Sequence, residues 1–275
     1  MKTCLAVLLG LLALPAAAET VVLAPVNVVY VTQGVIARDM AVRVSDGEIV
    51  AVGEAAGMDT QGVRVIDGQG GYLLPGLAEM HAHVPPMSDE QRVRDVLSLF
   101  LANGITTIRG MLGEPGHLGL RDALEQQQDW IGPRLITSGP SFNGNSVTSA
   151  EQAARRAREQ AKTGYDFLKL HPGLELDEFL AIDGAADAAG IPYAGHVSQA
   201  VGLEQALRAQ QATIDHLDGY LQALVPADHP RHGGDPGFFG LSLADAADAS
   251  QIPGVARDTA AAGVWNVPTE ALMVH

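Results

Sequence analysis

The sequence predicts an α/β fold built on a parallel sheet and preceded by a small all-β portion. Three observations carry that reading. From residue 73 onward, segments with helical spacing alternate with short strand-like runs at a steady pace, the rhythm of repeated β–α units. Between residues 20 and 71, β-branched runs are separated by turns. Finally, 47% hydrophobic and 18% charged residues in a chain of 275 is a globular composition, enough for one large domain or two smaller ones.

The all-β portion reads VVLAPVNVVYV, MAVRVSDGEIVAVGE and VRVIDGQGG, with Asp46-Gly47 as a hairpin turn. Asp67-Gly68-Gln69-Gly70 makes a further turn, and Leu73-Leu74-Pro75-Gly76 leads into a strand that runs out at His81 and His83. Over residues 90–103, Val93, Val96, Leu97, Phe100 and Leu101 follow helical spacing and Gly104 closes the helix. GITTIR is the second strand, and a helix near residues 119–130 leads to RLITSG as the third. The alanine-rich helix over 149–162 leads to YDFLKL, that over 177–189 to IPYAGH, and that over 203–210 to TIDHL. A last helix, ending near Gly263, gives VWNVPT as strand seven.

Acidic residues outnumber basic ones 32 to 17, a net charge of -15, which disfavours nucleic acid as a partner. The small cluster Arg155, Arg156 and Arg158 reads as the solvated face of a helix. Residues 1–18 carry a basic start at Lys2, an apolar stretch over 5–14, and small residues Ala16 and Ala18 where a signal peptidase reads. The expectation is an exported protein, periplasmic or secreted, with no stable membrane span because the apolar stretch is short. Cys4, the only cysteine, falls within that leader, so the mature protein would have neither disulfide nor thiol chemistry.

His81 and His83 are the strongest chemical signal. Side chains at i and i+2 of a strand share a face, so the pair can present two imidazoles to one metal ion. Lys169, in Phe167-Leu168-Lys169-Leu170-His171, is flanked by apolar residues and must pair with a carboxylate, lose its proton or react. His196 ends strand five and His216 ends strand six. Taken singly, each could be a hydrogen-bonded core histidine. His171, two residues beyond Lys169, could face the same side. Arg109 could clamp a substrate carboxylate or form a structural ion pair, and Tyr220 could bond a substrate carbonyl or simply pack. His117, His229, His232 and His275 have no comparable setting and read as surface or loop residues.

The run LLPGLAEMHAHV, with the Asp67-Gly68-Gln69-Gly70 turn before it, resembles the signature of the amidohydrolase superfamily, metal-dependent hydrolases on a (β/α)8 barrel of the TIM type. The imidazolonepropionase- and dipeptidase-like branch looks most similar. With the signal peptide read over 1–18, the resemblance implies an N-terminal β-sandwich portion over 19–72 and a barrel over 73–275. It also implies catalytic groups at the carboxyl ends of the strands. A closed barrel takes about 250 residues, so the expectation is an incomplete one with about seven strands. The family's aspartate at the end of strand eight, a metal ligand and proton shuttle, has no match here. Glu79 stands where an aspartate is common before the histidine pair.

By the same resemblance, His81 and His83 hold one divalent ion and His196 and His216 a second. Lys169, carboxylated by carbon dioxide, bridges both. Zinc suits this nitrogen and oxygen set, with manganese, cobalt and iron left open. The implied reaction is hydrolysis of an amide or other C–N bond by a metal-bridging hydroxide, and the narrower expectation is an exported dipeptidase or aminoacylase. The expected substrate is a small, dipeptide-like molecule, with substrate contacts from Arg109, His171 and Tyr220. Self-association into a homo-oligomer is compatible with the sequence. Residues 218–253, rich in Gly, Pro and Asp, would help select the substrate, or form a plain surface insertion. Two other classes stand beside the enzyme: a catalytically silent, incomplete fragment, and a binding protein on the same scaffold.

Overall fold

The computed structural model describes residues 20–126 and 129–271. The leader with Cys4, and His275, lie outside the described residues. The chain divides into two compact units, Met1–Pro75 and Gly76–His275.

The first unit is a four-stranded sheet in the order β3-β2-β1-β4. Strand β1 (Thr20–Tyr30) runs antiparallel to β2 (Val35–Ser45) and parallel to β4 (Arg64–Leu73), while β3 (Glu48–Glu54) pairs antiparallel with β2. Asp46 and Gly47 join β2 to β3 with φ of 53° and 79°, the positive values that a two-residue hairpin turn requires. The expected turn at Asp67-Gly68-Gln69-Gly70 is a bulge within β4: Ala24 pairs with Asp67, but Val26 already pairs with Gly71. This single sheet is one layer of the expected sandwich.

The second unit is a series of β–α repeats. Strands β5 (Leu77–Ala82), β6 (Ile105–Gly110) and β7 (Arg134–Thr137) form one parallel sheet. Strands β8 (Leu168–Leu170), β9 (Tyr193–Gly195), β10 (Thr213–Asp215) and β11 (Trp265–Val267) form another. Parallel bridges Ser138–Phe167 and Phe142–Leu170 link the two, giving seven parallel strands in chain order. No ladder joins β5 to β11 among the described residues. The sheet nevertheless curls, because side chains from strands far apart in that order meet: Arg109 of β6 bonds Thr213 of β10, and Lys169 of β8 bonds Asp215 of β10.

Each helix between strands has a local cause. Asp89 caps α1 (Glu90–Ala102) by accepting from Arg92 N at 3.1 Å, and Ser149 caps α3 (Ala150–Thr163) by accepting from Gln152 N at 3.2 Å. Glu175 and Glu178 form a capping box at the start of α4 (Leu176–Ala189). Helix α2 spans Gly116–Glu125 and α5 spans Gly202–Arg208. Val93 and Leu97 of α1 are buried with Ile108 and Leu135 of the strands, so the helical apolar stripe meets the sheet face. The expected loop over residues 218–253 carries structure of its own: α6 (Tyr220–Ala223), 3-10 segments at Phe238–Ala246 and Ala249–Gln251, and the start of α7 (Ile252–Ala262).

Two expectations about surface residues are corrected. His117 is buried, its Nε2 donating to Pro85 O at 3.0 Å. Arg156 reaches back from α3 to Ser146 O and lies 4.7 Å from the Phe142 ring centre, so only Arg155 and Arg158 stay on the solvated face. Among the described residues no helix is long and apolar enough to cross a membrane.

Candidate metal centre

The histidines singled out from the sequence converge at the carboxyl ends of the strands. His81 belongs to β5 and His83 follows its end, with their Nε2 atoms 3.2 Å apart. The His216 ring lies 4.7 Å from that of His81 and 4.7 Å from that of His196, and the His171 ring lies 5.1 Å from that of His196. These five imidazoles, with Glu79, Phe239 and residues after β11, line a cleft of about 760 Å3.

The strands place these rings through unusual backbone. His216 and Leu217 adopt φ of 59° and 57°, a conformation costly for residues with a Cβ and concentrated at functional sites. At Gly195, φ is 129° and a Cβ would stand 2.2 Å from Leu170 O and 2.9 Å from Lys169 Nζ, so only glycine lets β9 pass over the lysine.

Lys169 is fully buried and its Nζ donates to Asp215 Oδ2 at 2.9 Å. Burial pushes the lysine pKa down, against the pull of Asp215. Burial would raise the Asp215 carboxyl, but the close approach of His81 and the Lys169 ammonium hold it well below the usual range. His81 Nδ1 lies 3.0 Å from the same Oδ2, and this buried nitrogen makes no hydrogen bond. His216 is pushed down to about 4 and His171 to about 3, in both cases first by burial and then by neighbouring charge. Both are therefore neutral near pH 7, the form in which imidazole binds a metal.

Outside the ring cluster, Asp218 Oδ2 lies 2.7 Å from His196 Nδ1 and Thr269 Oγ1 lies 2.6 Å from His216 Nδ1. Such contacts fix a ligand's tautomer and leave Nε2 free to face the cleft. Ligand atoms of His81, Asp215 and His216 all fall within 4.8 Å of one another. This donor set, with its orphaned buried Nδ1, fits a divalent cation.

Asp215 and Asp218 are the residues that sequence reasoning passed over. The signal was present: an aspartate between the apolar Ile214 and the strand-end His216 in the run TIDHL. Two expected substrate contacts are directed elsewhere. Arg109 is buried, donating to Met80 O and Thr213 Oγ1 at 2.9 Å each and lying 3.6 Å from Asp215, which is the structural ion pair rather than a substrate clamp. Tyr220 turns toward α7, its hydroxyl 3.0 Å from Thr259 Oγ1 and 3.1 Å from Asn266 Nδ2.

Comparison with known proteins gives the family. The amidohydrolase family profile matches residues 72–275, well over half of the chain. The chain belongs to the amidohydrolase family. Bottromycin amidohydrolase is 27% identical to this chain with a TM-score of 0.59, over 76% of this chain and 46% of that one. A candidate prolidase from Bifidobacterium longum is 25% identical with a TM-score of 0.62, over 75% of this chain and 57% of that one. A prolidase complexed with N-methylphosphonate-L-proline shares the fold at 21% identity and a TM-score of 0.66, over 90% of this chain and 77% of that one. The chain thus spans about half the length of the first two. No curated protein matches it in sequence.

Proposed function

We propose that this amidohydrolase hydrolyses an amide or related C–N bond in a small, dipeptide-like molecule, using divalent cations held at the strand ends. The observation that carries the proposal is the convergence of His81, His83, His171, His196 and His216 on one cleft, backed by the buried Asp215 and the half-buried Asp218. In this reading His81, His83, His196 and His216 are the nitrogen ligands, and Asp215 is an available oxygen ligand beside His81 and His216. The bound cation supplies Lewis acidity, activating water and polarising the carbonyl.

The protein's own groups do the rest. Asp218 holds His196 with its proton on Nδ1, and Thr269 orients His216. Lys169, once parted from Asp215 as a neutral amine, would take up carbon dioxide, its nitrogen bonding to carbon as a proton leaves, and the carbamate would be a further oxygen donor where cations are held. Its complete burial and lowered pKa support that role. The prolidases among the structural neighbours support dipeptides or acylated amino acids as the substrate class. The leader-like residues 1–18 support export.

The test is metal analysis of the purified protein, alongside hydrolysis of a panel of dipeptides and N-acyl amino acids. Bound zinc or a similar ion is expected, with turnover abolished by a chelator and restored by adding the ion. Turnover indifferent to chelation would sink the proposal.

A further inference from the structure

Beside the histidine cleft lies a second cleft of about 810 Å3, and His171, His196 and Phe239 line both, so the two are continuous. Its floor and walls include Leu174, Val197 and Pro236, together with two consecutive phenylalanines. Phe238 is 73% exposed, an uncommon state for a side chain of that size when no partner covers it. Its ring centre lies 4.1 Å from that of Phe239, and Phe239 in turn lies 4.9 Å from the ring of His216. A tilted aromatic series therefore runs from the candidate metal ligand out to solvent.

The backbone that presents these rings is held against its own preference. Phe239 sits at φ 50°, ψ 30°, between Gly237 at φ 65° and Gly240 at φ 79°. A bulky residue in the left-handed region persists only where its surroundings fix it. They do so here: Ser242 N donates to Pro236 O at 3.1 Å, Arg231 donates to Ser242 O at 2.9 Å and pairs with Asp245 at 2.7 Å, and Leu243 and Ala246 are buried against Val225. The loop thus rests on an anchored base and presents Phe238 to the cleft mouth.

We propose that Phe238 and Phe239 form a binding subsite for an aromatic ring carried by the substrate, next to the scissile bond. The proposal rests on the hydrolase reading of the adjacent histidine cluster and narrows it to amides bearing an aromatic group. Ring faces and edges at the mouth favour an offset or edge-on aromatic partner, and the apolar walls favour burying it.

The experiment uses the protein as purified, with two small primary amides, L-phenylalaninamide and L-alaninamide, as probes. Binding is read by saturation-transfer NMR and titration, and hydrolysis of Phe-containing and Ala-containing dipeptides is followed separately in the metal-loaded protein. The phenyl probe should bind about tenfold or more tightly than the methyl probe. In Phe238→Ala that ratio should fall by about five- to tenfold, and in Phe238→Leu most of the fall should remain, because the ring face is gone. Equal binding of both probes, or an unchanged ratio in Phe238→Ala, would overturn the subsite. Hydrolysis that shows no ring preference would do the same while leaving the hydrolase reading intact. Ring-selective binding without any metal-dependent hydrolysis would support the subsite and overturn that reading instead.

Discussion

Lys169 Nζ and Asp215 Oδ2 lie 2.9 Å apart with both side chains fully buried, across 46 residues of sequence. Arg109, 3.6 Å from Asp215, offsets only part of that carboxylate's charge, and a buried ion that loses its nearest partner has no hydration to fall back on. In the metal-free protein, Lys169→Met alone should therefore destabilise the fold by about 3–5 kcal/mol, and Lys169→Met with Asp215→Asn by much less. Urea unfolding of the single and double variants gives the coupling; additive losses would mean that the two groups do not act as a pair.

Asp218 accepts from His196 Nδ1 at 2.7 Å, so its contribution to the histidine cluster is orientation. Asp218→Asn should weaken metal affinity by about 10- to 100-fold, measured by competition with a chromogenic chelator. Unaltered affinity would remove His196 from the ligand set.

Acid should destabilise the metal-free protein. His171 and His216 are lowered from 6.5 to about 3 and about 4, so between about pH 6.5 and 4 the unfolded chain binds protons that the folded chain refuses. Stability then rises with pH across that window and is lost as pH falls through it. Urea midpoints at pH 7.5 and pH 5 should differ in that direction, and His171→Gln should shrink the difference. Equal midpoints would contradict the neutral, buried state of these rings.

The segment after His83 is pinned from α2 and from Glu114 just before it. His117 Nε2 donates to Pro85 O at 3.0 Å, and Glu114 Oε1 accepts from Met87 N at 2.7 Å. His117→Ala leaves a buried carbonyl without its donor and should cost about 1–3 kcal/mol. Thermal and urea unfolding report it; a loss within about 0.5 kcal/mol, the ordinary range for surface substitutions, would place His117 back at the surface.

The order of elements and the strand-end histidines were legible because both are local. Period 3.6 in residues such as Val93, Val96, Leu97 and Phe100, and short apolar runs before His81, His196 and His216, express how each segment must bury one face. Turn chemistry at Asp46-Gly47 was equally local. Asp67-Gly68-Gln69-Gly70 was not, because whether those residues turn or bulge depends on β1 lying alongside.

What only the tertiary structure decided is which partner each polar group finds. Nothing near Lys169 in sequence names Asp215 as its carboxylate, nothing near Arg109 names Thr213 as its acceptor, and His117 looks like a loop residue until Pro85 is placed beside it. The sequence by itself determined the β–α repeat and the line of imidazoles, since periodicity and strand ends follow from the backbone of each segment. The curling of the sheet decided the rest: it brings His81 of β5 and Lys169 of β8 each within 3.0 Å of Asp215 of β10, and in a dry interior every buried charge must be answered by whatever group that curvature delivers.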